Sequence, residues 1–140
     1  MLMALEAQHL FSTVSNKFIA ISDSHRQAMA ASCMDSEDVI LYYSYSGSTK
    51  AMVHTLKHAI KQKGRSILIT HFVNSPGAAY ADIVVPCGVH QTPLQTGSVP
   101  AKVAQLYLTD IMFTEYFKRD MDQCRLFRKH IVEALADEHL

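Results

Sequence analysis

Apolar residues recur at helical spacing through Leu2, Leu5, Leu10 and Val14, with His9 on the same stripe, which predicts an amphipathic helix over residues 2–15. The short apolar run Phe18-Ile19-Ala20-Ile21 predicts a first strand over 18–22, closed by the polar break Ser22-Asp23-Ser24-His25. Residues 25–33 are expected as another short helix. Residues 38–44 (Asp-Val-Ile-Leu-Tyr-Tyr-Ser) are almost continuously apolar, the pattern of a strand buried on both faces. The period then changes: Met52, Val53, Leu56, Ala59 and Ile60 form one stripe of a helix over 48–63, with Gly64 as its carboxy-terminal stop. Two more strands are expected at 66–72 and 82–87, separated by the turn Asn74-Ser75-Pro76-Gly77 and one short helical stretch. Pro86 marks an edge position or a strand terminus. After a loop over 88–97, Ser98 can cap a long helix with Pro100 in its first turn. That helix runs to about residue 118 and, after a break at 120–122, on to 137.

Strands alternating with helices imply an α/β domain: a three-layer α-β-α sandwich on a parallel sheet with four strands visible. The 140 residues suit one domain, 1–140, with a working core. Hydrophobic residues make up 49% and charged residues 19%, which argues against disorder. Thirteen basic and thirteen acidic residues cancel, so the field expected of an autonomous nucleic-acid binder is missing. The three cysteines, Cys33, Cys87 and Cys124, form no CxxC pair and suit a reducing compartment. No apolar run approaches membrane-spanning length and no secretory pattern opens the chain, so a soluble cytoplasmic protein is expected.

The chemistry concentrates at Ser44-Tyr45-Ser46-Gly47-Ser48-Thr49, where a strand hands over to a helix. A phosphate needs several backbone N–H groups converging on one spot, hydroxyl donors beside them, and a helix amino terminus behind. Ser44, Ser46, Ser48 and Thr49 supply hydroxyls, and Gly47 permits a tight bend with close backbone approach. The carboxyl end of a strand in an open parallel sheet is where such folds bind ligands. The plainer alternative is a helix cap, for which one or two hydroxyls suffice.

These residues resemble the SxSGxT signature of SIS (sugar isomerase) domains. Ile67-Leu68-Ile69-Thr70, Ser75-Pro76 and Ala81-Asp82 look like a further run of that family. Residues 22–27 and 93–110 are most similar to the effector domain of RpiR-type transcriptional regulators, and the resemblance covers roughly residues 3–120. It implies a flavodoxin-like fold and a phosphosugar site in which Ser44, Ser46, Ser48 and Thr49 hold the phosphate, with Ser98 and its preceding loop closing over the sugar. It also implies an earlier central strand with a GxGxS-type turn, so the chain reads as truncated at its amino terminus relative to the family. Either strand 18–22 then pairs directly with 38–44, or a partner chain fills the gap. SIS isomerases carry a glutamate where this chain has Gln91, and an amide cannot serve as a general base near neutral pH. The resemblance therefore implies a sensor rather than an enzyme, without cofactor, whose ligand-dependent shape is read by a DNA-binding domain in the family. Alternatives are an aldose–ketose phosphate isomerase, a ligand-free dimerisation fragment and a flavin mononucleotide binder, although flavodoxins place their phosphate turn after the first strand.

Other residues are weighed against blander roles. His54 and His58 have the spacing of a chelating pair, but they lie beside Lys50, Lys57 and Lys61 and read as a solvated basic face, with no metal site expected. His25, at the ligand-binding edge, is either a helix-starting histidine or a sugar contact. His90 lies in the isomerase-base loop without evidence that it points inward. Val103, Leu106, Tyr107, Ile111, Phe113, Tyr116 and Phe117 make a surface too broad for one core stripe. Half of it suits the core, and the rest suits a homodimer interface that Ile131, Val132 and Leu135 could extend.

Overall fold

The computed structural model describes residues 2–88 and 99–136. In chain order these form α1 (Leu2–Ser12), α2 (Ser24–Ser32), β1 (Val39–Tyr43), α3 (Lys50–Lys61), β2 (Arg65–Thr70), a 3₁₀ turn (Ala78–Tyr80), β3 (Ile83–Pro86), α4 (Val99–Arg119) and α5 (Met121–Ala136). The strands make one parallel sheet in the order β1-β2-β3, with Leu41 opposite Ile67 and Ile67 opposite Ile83.

Alternation along the strands divides the molecule into three layers. Tyr42 and Leu68 are register partners, and they face α3 in a cluster with the fully buried Met52 and Leu56. Tyr43 points the other way, into a cluster of Phe11, Val14, Phe113 and Cys124 built by α1, α4 and α5. Rings organise that side: Phe18 stacks on Phe11 at 4.3 Å, and Tyr116 meets both edge-on. Asp82 fastens β2 to β3 at their amino ends, accepting from the Ser66 amide at 2.7 Å and its hydroxyl at 2.9 Å. The two ion pairs found among the described residues, Lys118–Glu115 and Lys129–Glu133, are both exposed, so the fold rests on packing and hydrogen bonds.

Four expectations need correcting. Residues 18–22 form no strand and do not pair with β1. Phe18 is drawn into the ring cluster, Ile19 is 79% exposed, and side chains replace ladder bonds. Gln8 Oε1 accepts from the Ala20 amide, and Gln27 Nε2 donates to the Ile21 carbonyl at 2.8 Å. The described sheet thus has three strands, not four. Nor is β1 buried on both faces: it is a rim strand, and the central β2 carries the buried residues Ser66, Leu68, Ile69 and Thr70.

The stop of α3 also differs. Lys63, not Gly64, takes the left-handed conformation (φ 64°), while the Gly64 amide reaches back to the Ala59 carbonyl and the Lys63 amide to that of Ile60. This is the paired closure of a Schellman end displaced by one residue. Gly64 instead leaves room for the Met34 side chain, whose terminal methyl a Cβ there would push aside. Finally, α1 ends at Ser12, where the Ser12 and Thr13 hydroxyls turn back onto the His9 and Leu10 carbonyls.

These assignments separate two apolar substitutions. Phe11→Ala should cost about 3–5 kcal/mol by loss of ring packing. Ile19→Ser should stay within about 0.5 kcal/mol, as expected for an exposed position outside the ladder. Urea midpoints compared at constant m would check both, and a large loss from Ile19→Ser would contradict the unpaired assignment.

Candidate functional site

Strand β1 ends where the Ser44 amide donates to the Ile69 carbonyl at 3.0 Å. The chain then bends through Gly47, which is buried and left-handed at φ 60°. Ser44 Oγ accepts from the Gly47 amide at 3.1 Å, and Ser46 Oγ sits 3.4 Å from the Ser48 amide. Ser46, Ser48 and Thr49 are exposed along the outer rim. The structure therefore brings five of the predicted site residues together: Ser44, Ser46, Gly47, Ser48 and Thr49.

Thr49 occupies the position before α3 with extended geometry (φ −68°, ψ 129°), yet its hydroxyl makes no capping bond. The first helical hydrogen bond runs from the Val53 amide to the Thr49 carbonyl. The amides of Lys50, Ala51 and Met52 consequently have no acceptor within the helix. The first turn contains no acidic residue, so no carboxylate of its own offsets the positive end of the helix dipole. A turn built only to cap α3 would have closed this opening. It stays open.

The loop after β2 braces the turn from behind. The Gly77 amide donates to the Gly47 carbonyl at 2.8 Å, and Thr70 Oγ1 donates to the Tyr45 carbonyl at 3.1 Å. A Cβ on Gly47 would land on Ser75 Oγ and lie 2.9 Å from Thr70 Oγ1. Ser75 Oγ is itself buried and has no hydrogen-bond partner among the described residues. Beside the turn, Ser46, Ser48 and residues 71–76 line an open cleft of about 500 Å³. Tyr45 and His71 stack almost parallel (3°, 5.2 Å between centroids), and Phe72 stands edge-on to both.

The sequence marks Ser75 and Gly77 as turn residues but not as a brace for Gly47, and it gives no sign of this aromatic rim. Ser75-Pro76 and Thr70 were visible as motif positions, but nothing in the pattern says that the loop folds back onto Gly47. His25 lies exposed in the first turn of α2, and its side chain makes no hydrogen bond among the described residues; the Tyr42 hydroxyl instead reaches Gln27, at 2.8 Å. Ser98, Gln91 and His90 lie outside the described residues. At the end of β3, burial pushes the Cys87 thiol above its ordinary range, which keeps it protonated and a poor nucleophile near neutral pH.

The SIS domain family matches residues 1–115 of the chain. The HTH-type transcriptional regulator RpiR of Escherichia coli is 30% identical over 121 residues, covering 86% of this chain and 41% of the regulator. An HTH-type transcriptional regulator of Clostridium perfringens is 28% identical over 115 residues, 82% of this chain and 41% of its own length. Vibrio vulnificus NanR, solved in complex with ManNAc-6P, superposes with a TM-score of 0.87 at 22% identity, over 97% of this chain and 51% of that one. The sugar isomerase domain of an RpiR transcription factor from Sphaerobacter thermophilus superposes with a TM-score of 0.80 at 14% identity, over 94% of this chain and 72% of that one. The chain thus spans less than half the length of the two regulators it matches in sequence.

The Gly47 geometry gives a direct expectation. Gly47→Ala combines a left-handed backbone penalty of about 1–2 kcal/mol with the collision at Ser75, and should lower the thermal midpoint clearly. Adding Ser75→Gly should recover the collision part but not the backbone part. Full recovery would show that the left-handed turn carries no strain for alanine.

Proposed function

The chain belongs to the SIS domain family, and we propose that residues 1–140 act as the phosphosugar-sensing domain of an RpiR-type transcriptional regulator. The observation that carries this reading is the uncapped start of α3. Its free amides and the hydroxyls around Gly47 offer a phosphate what it needs, on the carboxyl edge of a parallel sheet. In this reading Ser44, Ser46, Ser48 and Thr49 surround the phosphate, Gly47 gives it room, and Ser98 closes from the loop before α4. His25 and Gln91 are more distant candidates for reading the sugar hydroxyls. The bound form of NanR supports the same ligand class by analogy.

Sensing fits better than isomerisation, because the relatives matched in sequence are regulators and Gln91 is an amide. The work of such a domain belongs in the cytoplasm; among the described residues no helix is long and apolar enough to cross a membrane. The output surface in this reading is α4. Val99, Val103, Leu106, Tyr107 and Ile111 stand exposed along it, suited to a twofold contact with a second copy, while Ala101, Gln105, Thr109 and Phe113 face inward. Site and surface are close in the chain of contacts. Tyr43, next to Ser44, meets Thr109 Oγ1 at 2.8 Å; Thr109 donates its own proton to the Gln105 carbonyl, so the tyrosine is the donor.

Thermal shift against hexose, pentose and N-acylamino-sugar phosphates tests the site. One of them at a hundredfold its Kd should add about 2.7 kcal/mol of stability. Ser46→Ala combined with Thr49→Ala should abolish the response while the unliganded midpoint holds; an undiminished response would remove the turn from the site. No aldose–ketose turnover is expected with any of these sugars, and turnover lost in His90→Ala would favour an enzyme. For the dimer, Val103→Glu with Tyr107→Glu should yield monomers in sedimentation velocity, whereas a wild-type monomer at all concentrations would remove α4 as the interface.

A further inference from the structure

On the outer side of α3, away from the serine turn, His54 and His58 bring their Nε2 atoms to 3.3 Å of each other, with ring centroids 4.5 Å apart. Two imidazoles held this way have matched a known requirement. Zinc–nitrogen bonds of about 2.0–2.1 Å meeting at a tetrahedral angle separate the two nitrogens by about 3.3–3.4 Å. We propose that His54 and His58 form a bidentate site for a divalent transition-metal cation of the zinc, nickel or copper class.

The hydrogen bonding around His58 prepares it as a ligand. The Ser32 hydroxyl donates its proton to the Ala28 carbonyl at 2.8 Å, which leaves an oxygen lone pair facing His58 Nδ1 at 3.4 Å. That arrangement places the imidazole proton on Nδ1 and the lone pair on Nε2, where it accepts from the His54 Nε2–H at 3.3 Å until a metal takes that proton's place. A serine on α2 thereby serves as the outer partner that fixes a metal-ligating histidine's tautomer. His54 is exposed and can move its own proton to Nδ1, toward water, when Nε2 takes the metal.

The surroundings set the character of the site. No third histidine, cysteine, aspartate or glutamate completes a group among the described residues, so water fills the remaining positions. A purely nitrogen-and-water set favours zinc, nickel or copper over magnesium or calcium. The nearby lysines oppose a dication only weakly. The Lys57 ammonium is turned over the Tyr80 ring, 4.7 Å from its centroid, and Lys50 and Lys61 are exposed and screened. The sequence alone could not show this, because His58 is half-buried against α2 rather than fully solvated.

Calorimetric titration of the wild-type chain with zinc chloride, with magnesium chloride as the hard-cation control, tests the proposal. One zinc should bind and magnesium should not. His54→Ala, an exposed change that should leave the fold intact by circular dichroism, and His58→Ala should each weaken zinc by more than the roughly 10–100-fold that loss of an outer-shell partner costs. Ser32→Ala should weaken it by a smaller factor. Equal zinc affinity in the wild type and both histidine variants would overturn the site, as would binding that only Cys33→Ser abolishes. The phosphosugar response is read separately, so failure of one assignment leaves the other standing.

Discussion

Thr70 sits fully buried at the end of the central strand, and three chain segments meet on it. Its hydroxyl donates to the Tyr45 carbonyl and accepts from the Phe72 amide, while its own carbonyl accepts from the Cys87 amide at 2.8 Å. One residue thus ties the turn after β1, the loop after β2 and the end of β3 to a single height above the sheet. The Gly47–Gly77 bond closes the same junction from the other side. A serine-rich turn would otherwise be free to spend its hydroxyls on the helix it precedes. Held from behind, it keeps the start of α3 open.

Much of this was legible in the residues, for reasons that differ by element. The stripe of α3 and the run through β2 are signals set by burial, and burial is what periodicity reports. The serine turn was legible because its chemistry is local: hydroxyls, a glycine and a helix start lie within six residues. The run at 18–21 failed because apolar character alone does not supply a ladder partner, and Phe18 found a ring cluster instead. Lys63 was missed because a helix end settles on hydrogen-bond closure, which here overrides the preference for glycine. The bracing role of Ser75 and Gly77, whose turn was visible, depends on a contact across the fold that no local pattern reports. Ser98 and Gln91 lie outside the described residues and stay as the sequence left them.

The two faces of the sheet carry different duties. On one, α3 buries Met52 and Leu56 against Leu68 of the sheet and presents a pair of histidines outward. On the other, aromatic rings bind α1 to α4, and Tyr43 passes from the strand that ends in the serine turn to Thr109 on the helix with the exposed stripe. Burial holds the Tyr43 phenol above its ordinary range, so it remains a protonated donor across the physiological interval. The proposed ligand turn and the exposed stripe of α4 are thus linked through adjoining residues at the end of one strand.

The solvent-facing ion pairs of α4 and α5 have a consequence for how such a domain meets a changing environment. Both are local pairs on exposed helix faces, worth little to the folded state. Swings in ionic strength therefore cost the fold little through these two pairs. An anion held at a helix terminus feels the same swings through screening. In the sensor proposed above, rising salt would therefore weaken the hold on a phosphate before it touched the fold that presents it.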